Sequence, residues 1–205
     1  MDSIKKLVDL FAKFPTVGSR TAHRFVFYLL RLPKEKINEL ASTILQLADK
    51  VKLCAFCFNP HENSHNLCAI CQNTLRDRKI ICIVEKEADL MSIEKTKKYN
   101  GLYFVLGGVL NLVKNNSDQV RMKELIERIK DPQKFGLHNT GFTEIIIALN
   151  PTPEGRSTSV LVEKTLKEMQ FNSLKISHLA KGLPFGGELE YADEETLESA
   201  FLGRK

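Results

Sequence analysis

The sequence predicts an α/β chain built of several modules, and three observations carry that prediction. Residues 1–53 repeat apolar positions at helical spacing between short breaks. Residues 54–77 hold four of the five cysteines, arranged as two CxxC pairs. From residue 78 onward, short apolar runs alternate with helical stretches, which implies a mostly parallel sheet covered on both faces. A length of 205 residues allows one medium domain or two to three small modules with a real core. No run of 18 apolar residues occurs, so no membrane contact is expected.

The head begins MDSIKKLVDLFAKF, with Ile4, Leu7, Val8 and Phe11 on one face of an amphipathic helix. It lacks the apolar stretch and small-residue cleavage site of a signal peptide, so a cytoplasmic location is expected. Pro15 stops this helix, and Gly18 is expected to supply the backbone freedom for a tight turn. A second helix over residues 20–31 would place Arg20, Arg24 and Arg31 in one stripe roughly 40° wide. Ala22, Phe25, Val26 and Leu29 fall on the opposite side and would pack on the first helix, whereas Phe27 falls on the basic side.

Charge singles out the same region. Residues 1–53 carry ten Lys/Arg against five Asp/Glu, while residues 54–205 balance at twenty against twenty. A basic head on a neutral body points to a polyanion-facing module; a solvated helical face is the plain alternative on charge alone. Helix, hairpin and helix together leave the second helix's free N–H groups and positive dipole end available to a phosphate. Arginines one turn apart would grip neighbouring phosphates and read no base edges. Gly18, Arg20, Arg24 and Arg31 are therefore the candidate DNA-binding residues.

CAFCFNPHENSHNLCAIC places Cys54 and Cys57 ten residues before Cys68 and Cys71. Two converging thiolate pairs are what a tetrahedral, structural Zn²⁺ site requires, with one ion per chain. Four thiolates close the shell, so the metal would staple a segment that has no core of its own. Disulfides fit poorly with an intracellular chain, and no thioredoxin-like pattern surrounds either pair. His61 and His65 lie in the knuckle as alternative ligands or solvated loop residues. Cys82 falls in an apolar run, where a free cysteine behaves as a small hydrophobe.

The strand-like runs are Ile80–Val84, Tyr103–Leu106, Glu144–Leu149 and Leu174–Ser177, with helical stretches near 87–98, 118–131 and 156–170. Lys114-Asn115-Asn116-Ser117 is the expected mobile tip. Glu85 ends the first run, Asp89 follows one turn into a helix, and Glu154 follows Asn150-Pro151-Thr152. They fall where α/β sheets build sites, although a helix N-terminus also favours carboxylates for structural reasons.

With the hairpin, the knuckle and ICIVE in this order, the chain resembles the RecR family of bacterial recombination mediators over nearly its full length. FPTVGSRTAHRFVFYLL, CAFC…CAIC, ICIVEKEADLMSIEKT, YFVLGG, ALNPTPEGRSTS and LAKGLPFGGELEYADEETL carry the resemblance. It implies a helix-hairpin-helix DNA-binding region over 1–53, a C4 zinc finger over 54–77 and a Toprim domain over 78–173. A Walker B-like, oligomerising segment would follow over 174–205. It further implies a DNA-binding homo-oligomer, a tetrameric ring, that works with RecO and RecF to load the strand-exchange protein at single-stranded gaps. Arg20 and Arg24 stand where that family's hairpin presents its DNA-contacting basic residues.

The chain departs from the family pattern at four places. Thr16-Val17-Gly18 replaces Gly-Val-Gly, the knuckle loop is longer, Asn111-Leu112-Val113-Lys114-Asn115 replaces a Ser-Pro-Leu-Asp-Gly loop, and His178 replaces an arginine. Catalytic Toprim folds hold magnesium with a glutamate after the first strand and an Asp-x-Asp after a later one. Asn150-Pro151-Thr152 lacks both aspartates, so Glu85, Asp89 and Glu154 read as a degenerate acidic patch for protein contacts or weak Mg²⁺ binding. There is no nucleophilic Ser/His/Asp or Cys/His set and no phosphate-binding Gly-x4-Gly-Lys-Ser/Thr loop, so Glu188, Glu190 and Asp193 in the tail have no nucleotide to serve. No catalytic residues and no enzymatic activity are expected. The rival readings are a Mg²⁺-dependent nuclease or primase-like enzyme using Glu85 and Glu154, and a zinc scaffold that binds only proteins.

Overall fold

The computed structural model describes residues 2–110, 120–169, 174–180, 182–183 and 186–204. It divides into two compact bodies, Met1–Val51 and Lys52–Lys205.

The first body is all-helical, with α1 (Ser3–Phe11), α2 (Ser19–Leu29) and α3 (Lys34–Lys50). The Asp2 carboxylate starts α1 by accepting the Ile4 N–H at 3.1 Å. Val8, Ala22 and Val26 form a small core, with Ile4, Leu7, Phe11 and Val17 packed around it. Phe25 meets Phe11 edge to face at 5.8 Å and remains 42% exposed. The expected packing face therefore holds, with Ala22 and Val26 as its buried centre. Phe27, expected on the basic side, is 49% exposed.

Two details of the hairpin differ from expectation. Gly18 has φ −83° and ψ 169°, extended backbone that any residue adopts. The left-handed position is Thr16, at φ 63°. A β-branched residue is strained there, because its side chain crowds the following carbonyl. Thr16→Gly is therefore expected to stabilise the helical body by about 1 kcal/mol, net of glycine's extra freedom in the unfolded chain. That corresponds to a rise of about 5 °C in the melting midpoint of a body this size. Calorimetry checks it, and an unchanged midpoint would refute strain at residue 16.

The second difference concerns Arg31. Helix α2 ends at Leu29, and the Arg31 and Leu32 N–H groups turn back to Tyr28 and Leu29 at 3.1 and 3.0 Å. This tighter turn leads into Pro33, which has no N–H to extend α2 and precedes α3. Arg31 thus lies beyond the helix, and the ideal-helix stripe is reduced to Arg20 and Arg24.

The second body opens with an antiparallel ribbon, β1 (Lys52–Leu53) against β2 (Pro60–His61), and the short α4 (Ala69–Gln72). Then follow β3 (Ile80–Val84), α5 (Glu87–Lys95), β4 (Leu102–Val105), α6 (Met122–Lys130), β5 (Glu144–Ala148), α7 (Pro153–Glu168), β6 (Lys175–His178) and α8 (Glu194–Leu202). The strands β4-β3-β5-β6 form one parallel sheet, with Ile83 opposite both Phe104 and Ile147. Strands β3, β4 and β5 are apolar on both faces because helices cover both, as the near-continuous apolar runs require, whereas β6 is a half-exposed edge strand. Strand β6 pairs with Glu144–Ile147 of β5, so the sheet runs beyond residue 173. The 114–117 tip and the whole of the 111–115 departure fall outside the described residues.

Helix α7 begins three residues earlier than its periodicity predicts. Pro153 occupies its first turn, and the Thr152 hydroxyl accepts the Gly155 N–H at 3.1 Å. A Cβ at Gly155 would stand 2.0 Å from the Asn150 carbonyl oxygen, so only glycine lets α7 start this close to the end of β5.

Candidate nucleic-acid interface and metal centre

At the start of α2, no side chain among the described residues caps the free backbone N–H groups. A Cβ at Gly18 would meet nothing within 4 Å, so the fold itself does not demand glycine there. Arg20 and Arg24 are exposed one turn apart, and neither forms an ion pair among the described residues. His23 sits between them and donates from Nδ1 to the Ser19 carbonyl at 2.8 Å. The result is an uncompensated cationic helix end with open space before it, an arrangement suited to a backbone phosphate.

The cysteines converge as their spacing predicts. All four are buried, and their sulfurs lie within 4.8 Å of one another. Cys57 and Cys68 sulfurs are 3.6 Å apart, close to the ~3.8 Å that tetrahedral Zn–S bonds impose. The Cys68 N–H points at the Cys54 sulfur at 3.3 Å, and the Asn59 N–H at the Cys57 sulfur at 3.5 Å. Such donors stabilise thiolate, the form that ligates metal. Hydrogen bonds among the sulfurs push the Cys57 and Cys71 thiols well above their ordinary range and hold those of Cys54 and Cys68 below it, so the four sulfurs titrate as one set. This donor set fits zinc. His61 uses Nδ1 to accept the Asn63 N–H at 3.2 Å and stands outside the sulfur cluster. Burial pushes the Cys82 thiol up to about 12, keeping it a neutral core side chain.

The knuckle is not merely stapled; it is built into the sheet's core. Phe56 is fully buried and stacks with Phe142 at 6.0 Å, and Phe58 meets Phe104 edge to face at 5.6 Å. The Val105 N–H donates to the Cys57 carbonyl at 2.9 Å. Arg128 of α6, 6% exposed, donates to the Ala55 carbonyl from Nε and Nη2 at 3.2 and 3.0 Å. Its guanidinium also lies 4.3 and 4.1 Å from the Phe58 and Phe135 ring centres. Sequence reasoning missed this residue: Arg128 stands 73 positions from Ala55, and no periodic signal marks an arginine as buried.

The acidic edge lies where β3 and β5 end, at the point where the strand order reverses. Glu85 follows β3, and its Oε2 accepts the Asn150 side-chain N–H at 2.6 Å. Asp89 accepts the Lys86 N–H at 3.2 Å and so caps α5, while Glu154 lies in the first turn of α7. Among the described residues, only the cysteines form a group of three or more converging metal donors. An amide therefore occupies the place where a second carboxylate would face Glu85. Beside this edge a groove of about 960 Å³ runs along α7, with the Arg156–Glu195 ion pair at 2.7 Å joining α7 to α8.

Comparison with known proteins bears directly on this geometry. The family model "RecR, helix-hairpin-helix" matches residues 4–48, "Toprim domain" matches 79–180, and "RecR, C-terminal" matches 182–205. Recombination protein RecR of Bifidobacterium adolescentis is 41% identical over 204 residues, covering 99% of this chain and 96% of that protein. The chain belongs to the RecR family. The RecR proteins of Chloroherpeton thalassium and Clostridium perfringens are 39% and 38% identical, each covering 98% of this chain and 96% of the relative. For a RecR-family chain, the structure puts the helix-hairpin-helix in the first body and the Toprim sheet in the second. The four-cysteine knuckle lies between the stretches matched by those two models.

Proposed function

We propose that this RecR-family chain is a non-catalytic DNA-binding clamp of recombinational repair. In this reading it acts with RecO and RecF to promote loading of the strand-exchange protein at single-stranded gaps. The observation that carries it is the uncapped start of α2, with exposed Arg20 and Arg24 beside a glycine whose missing side chain faces open space. Contacts of this kind hold phosphates and ignore sequence. Arg31, beyond the helix end, serves as an outlying contact.

Zinc at Cys54, Cys57, Cys68 and Cys71 is structural in this reading, since four protein ligands leave no open position. The amide of Asn150 on Glu85 supports a site that does not assemble Mg²⁺ for phosphodiester chemistry. Glu85, Asp89 and Glu154 then form an edge for a protein partner, RecO by family resemblance. Assembly into a tetrameric ring is supported by apolar surface left open on a single chain. Helix α3 has no buried residue and exposes Ile37, Leu40, Ile44 and Leu47 at heptad-like spacing. Tyr191, Phe201 and Leu202 in the tail are 80%, 67% and 82% exposed.

The test is to titrate the pure protein with duplex, gapped and single-stranded DNA of unrelated sequences, then incubate the same substrates with Mg²⁺ or Mn²⁺. Affinity should be independent of sequence and fall steeply with salt, and the strands should remain intact and unextended. Metal-dependent cleavage or synthesis that Glu85→Gln abolishes would overturn the clamp reading in favour of an enzyme.

A further inference from the structure

Charge is balanced along residues 54–205, yet the fold gathers at one edge lysines that lie apart in the sequence. In a parallel sheet the segments preceding each strand share one edge and those following it share the other. Glu85, Asp89 and Glu154 follow strands or open the next helix, so they lie at one edge. The segments 74–79 and 94–101 precede β3 and β4 and meet at the opposite edge, about 16 Å away for five-residue strands.

Hydrogen bonds tie these two segments together. The Asp77 N–H donates to the Asn100 carbonyl at 2.8 Å, and the Asn100 side chain donates to the Leu75 carbonyl at 3.3 Å. Arg76 donates to Glu94 Oε1 at 2.8 Å and to the Gly101 carbonyl at 3.1 Å. Together the segments hold six cations, Arg76, Arg78, Lys79, Lys95, Lys97 and Lys98, against only Asp77 and Glu94. Arg76 neutralises Glu94, and Asp77 Oδ1 is engaged by the Lys79 backbone N–H at 2.8 Å. Lys79, Lys95, Lys97 and Lys98 are exposed and take part in no ion pair among the described residues. Arg78 is half-buried and anchored on the His138 carbonyl at 2.9 Å.

Four uncompensated lysine heads on a hydrogen-bonded platform repel one another, which costs stability unless an anion sits across them. A run of lysines at the end of α5 also complements that helix's dipole, but this accounts for Lys95 and not for Lys79. We infer that the strand-entry edge of the sheet, formed by Lys79, Lys95, Lys97 and Lys98, is a second contact surface for the nucleic-acid phosphate backbone. It is distinct from the helical hairpin and lies at the sheet edge opposite the acidic patch. This inference goes beyond the proposed function, in which only the hairpin touches DNA.

The experiment compares full-length wild type with Lys95→Gln/Lys97→Gln/Lys98→Gln, the matching Lys→Arg triple variant and Arg20→Ala/Arg24→Ala. Each is titrated with duplex DNA from 50 to about 300 mM salt, after thermal scans verify folding. Loss of three phosphate contacts should make the slope of log K against log salt about 2.7 shallower in the glutamine variant, with arginine restoring it. A glutamine variant with the wild-type slope and affinity overturns this surface. So does equal loss in the glutamine and arginine variants, which would mark the lysines as structural. Loss confined to Arg20→Ala/Arg24→Ala removes this inference and leaves the hairpin reading standing. Loss confined to the lysine variant does the reverse.

Discussion

Replacing Arg20 and Arg24 together by alanine should lower affinity for duplex DNA about 60-fold at 0.1 M salt. Each phosphate contact releases roughly 0.9 counterion, worth about 1.2 kcal/mol at that concentration relative to 1 M, so two contacts amount to about 2.5 kcal/mol. The same variant should make the slope of log K against log salt about 1.8 shallower. Neither arginine is buried, and neither is ion-paired among the described residues, so folding should be untouched and the loss should appear in binding alone. The double substitution should weaken binding to unrelated sequences equally, because a backbone contact carries no sequence information. Fluorescence anisotropy across a salt series checks this. Wild-type affinity in the variant at matched salt would remove the hairpin as the DNA-facing surface.

Removal of zinc should have the largest effect on stability. The sulfurs are buried in the same apolar cluster as Ile81, Phe104 and Ile145 of the sheet, so loss of the ion strands four thiols inside a core. Phe56 and Phe58 hang from the same loop and would lose their seats against Phe142 and Phe104. A loss of only 4 kcal/mol would shift the melting midpoint by about 12 °C at roughly 3 °C per kcal/mol for a body of this size. Chelation, or Cys57→Ser with Cys71→Ser, is therefore expected to lower the midpoint of the second body by about 10 °C or more. Metal analysis should find one zinc per chain. An unchanged midpoint in the metal-free protein would show that packing alone holds the knuckle.

Much of this was legible in the residues because it rests on local repetition. Apolar spacing located α1, α2 and the four strands, and the doubled CxxC spacing located the metal donors, since both signals act over a few residues. Errors arose where neighbours compete for the backbone. Gly18 was expected to supply the backbone freedom for the turn, yet it is extended and the left-handed residue is Thr16. Arg31 looked like a third stripe member because ideal periodicity ignores the tightening of α2 ahead of Pro33. Arg128 left no trace at all, since a buried guanidinium is defined by partners 73 residues away.

By itself the sequence determined which residues could bind: four thiols in two pairs, and a basic segment after a hairpin. Only the tertiary structure decided what each group faces. It set Asn150 against Glu85, drew Arg128 under the knuckle, and brought Lys79 to the same edge of the sheet as Lys95, Lys97 and Lys98. The reason is that charge and hydrogen-bond partners across a parallel sheet are chosen by strand order, which brings together residues far apart in the chain.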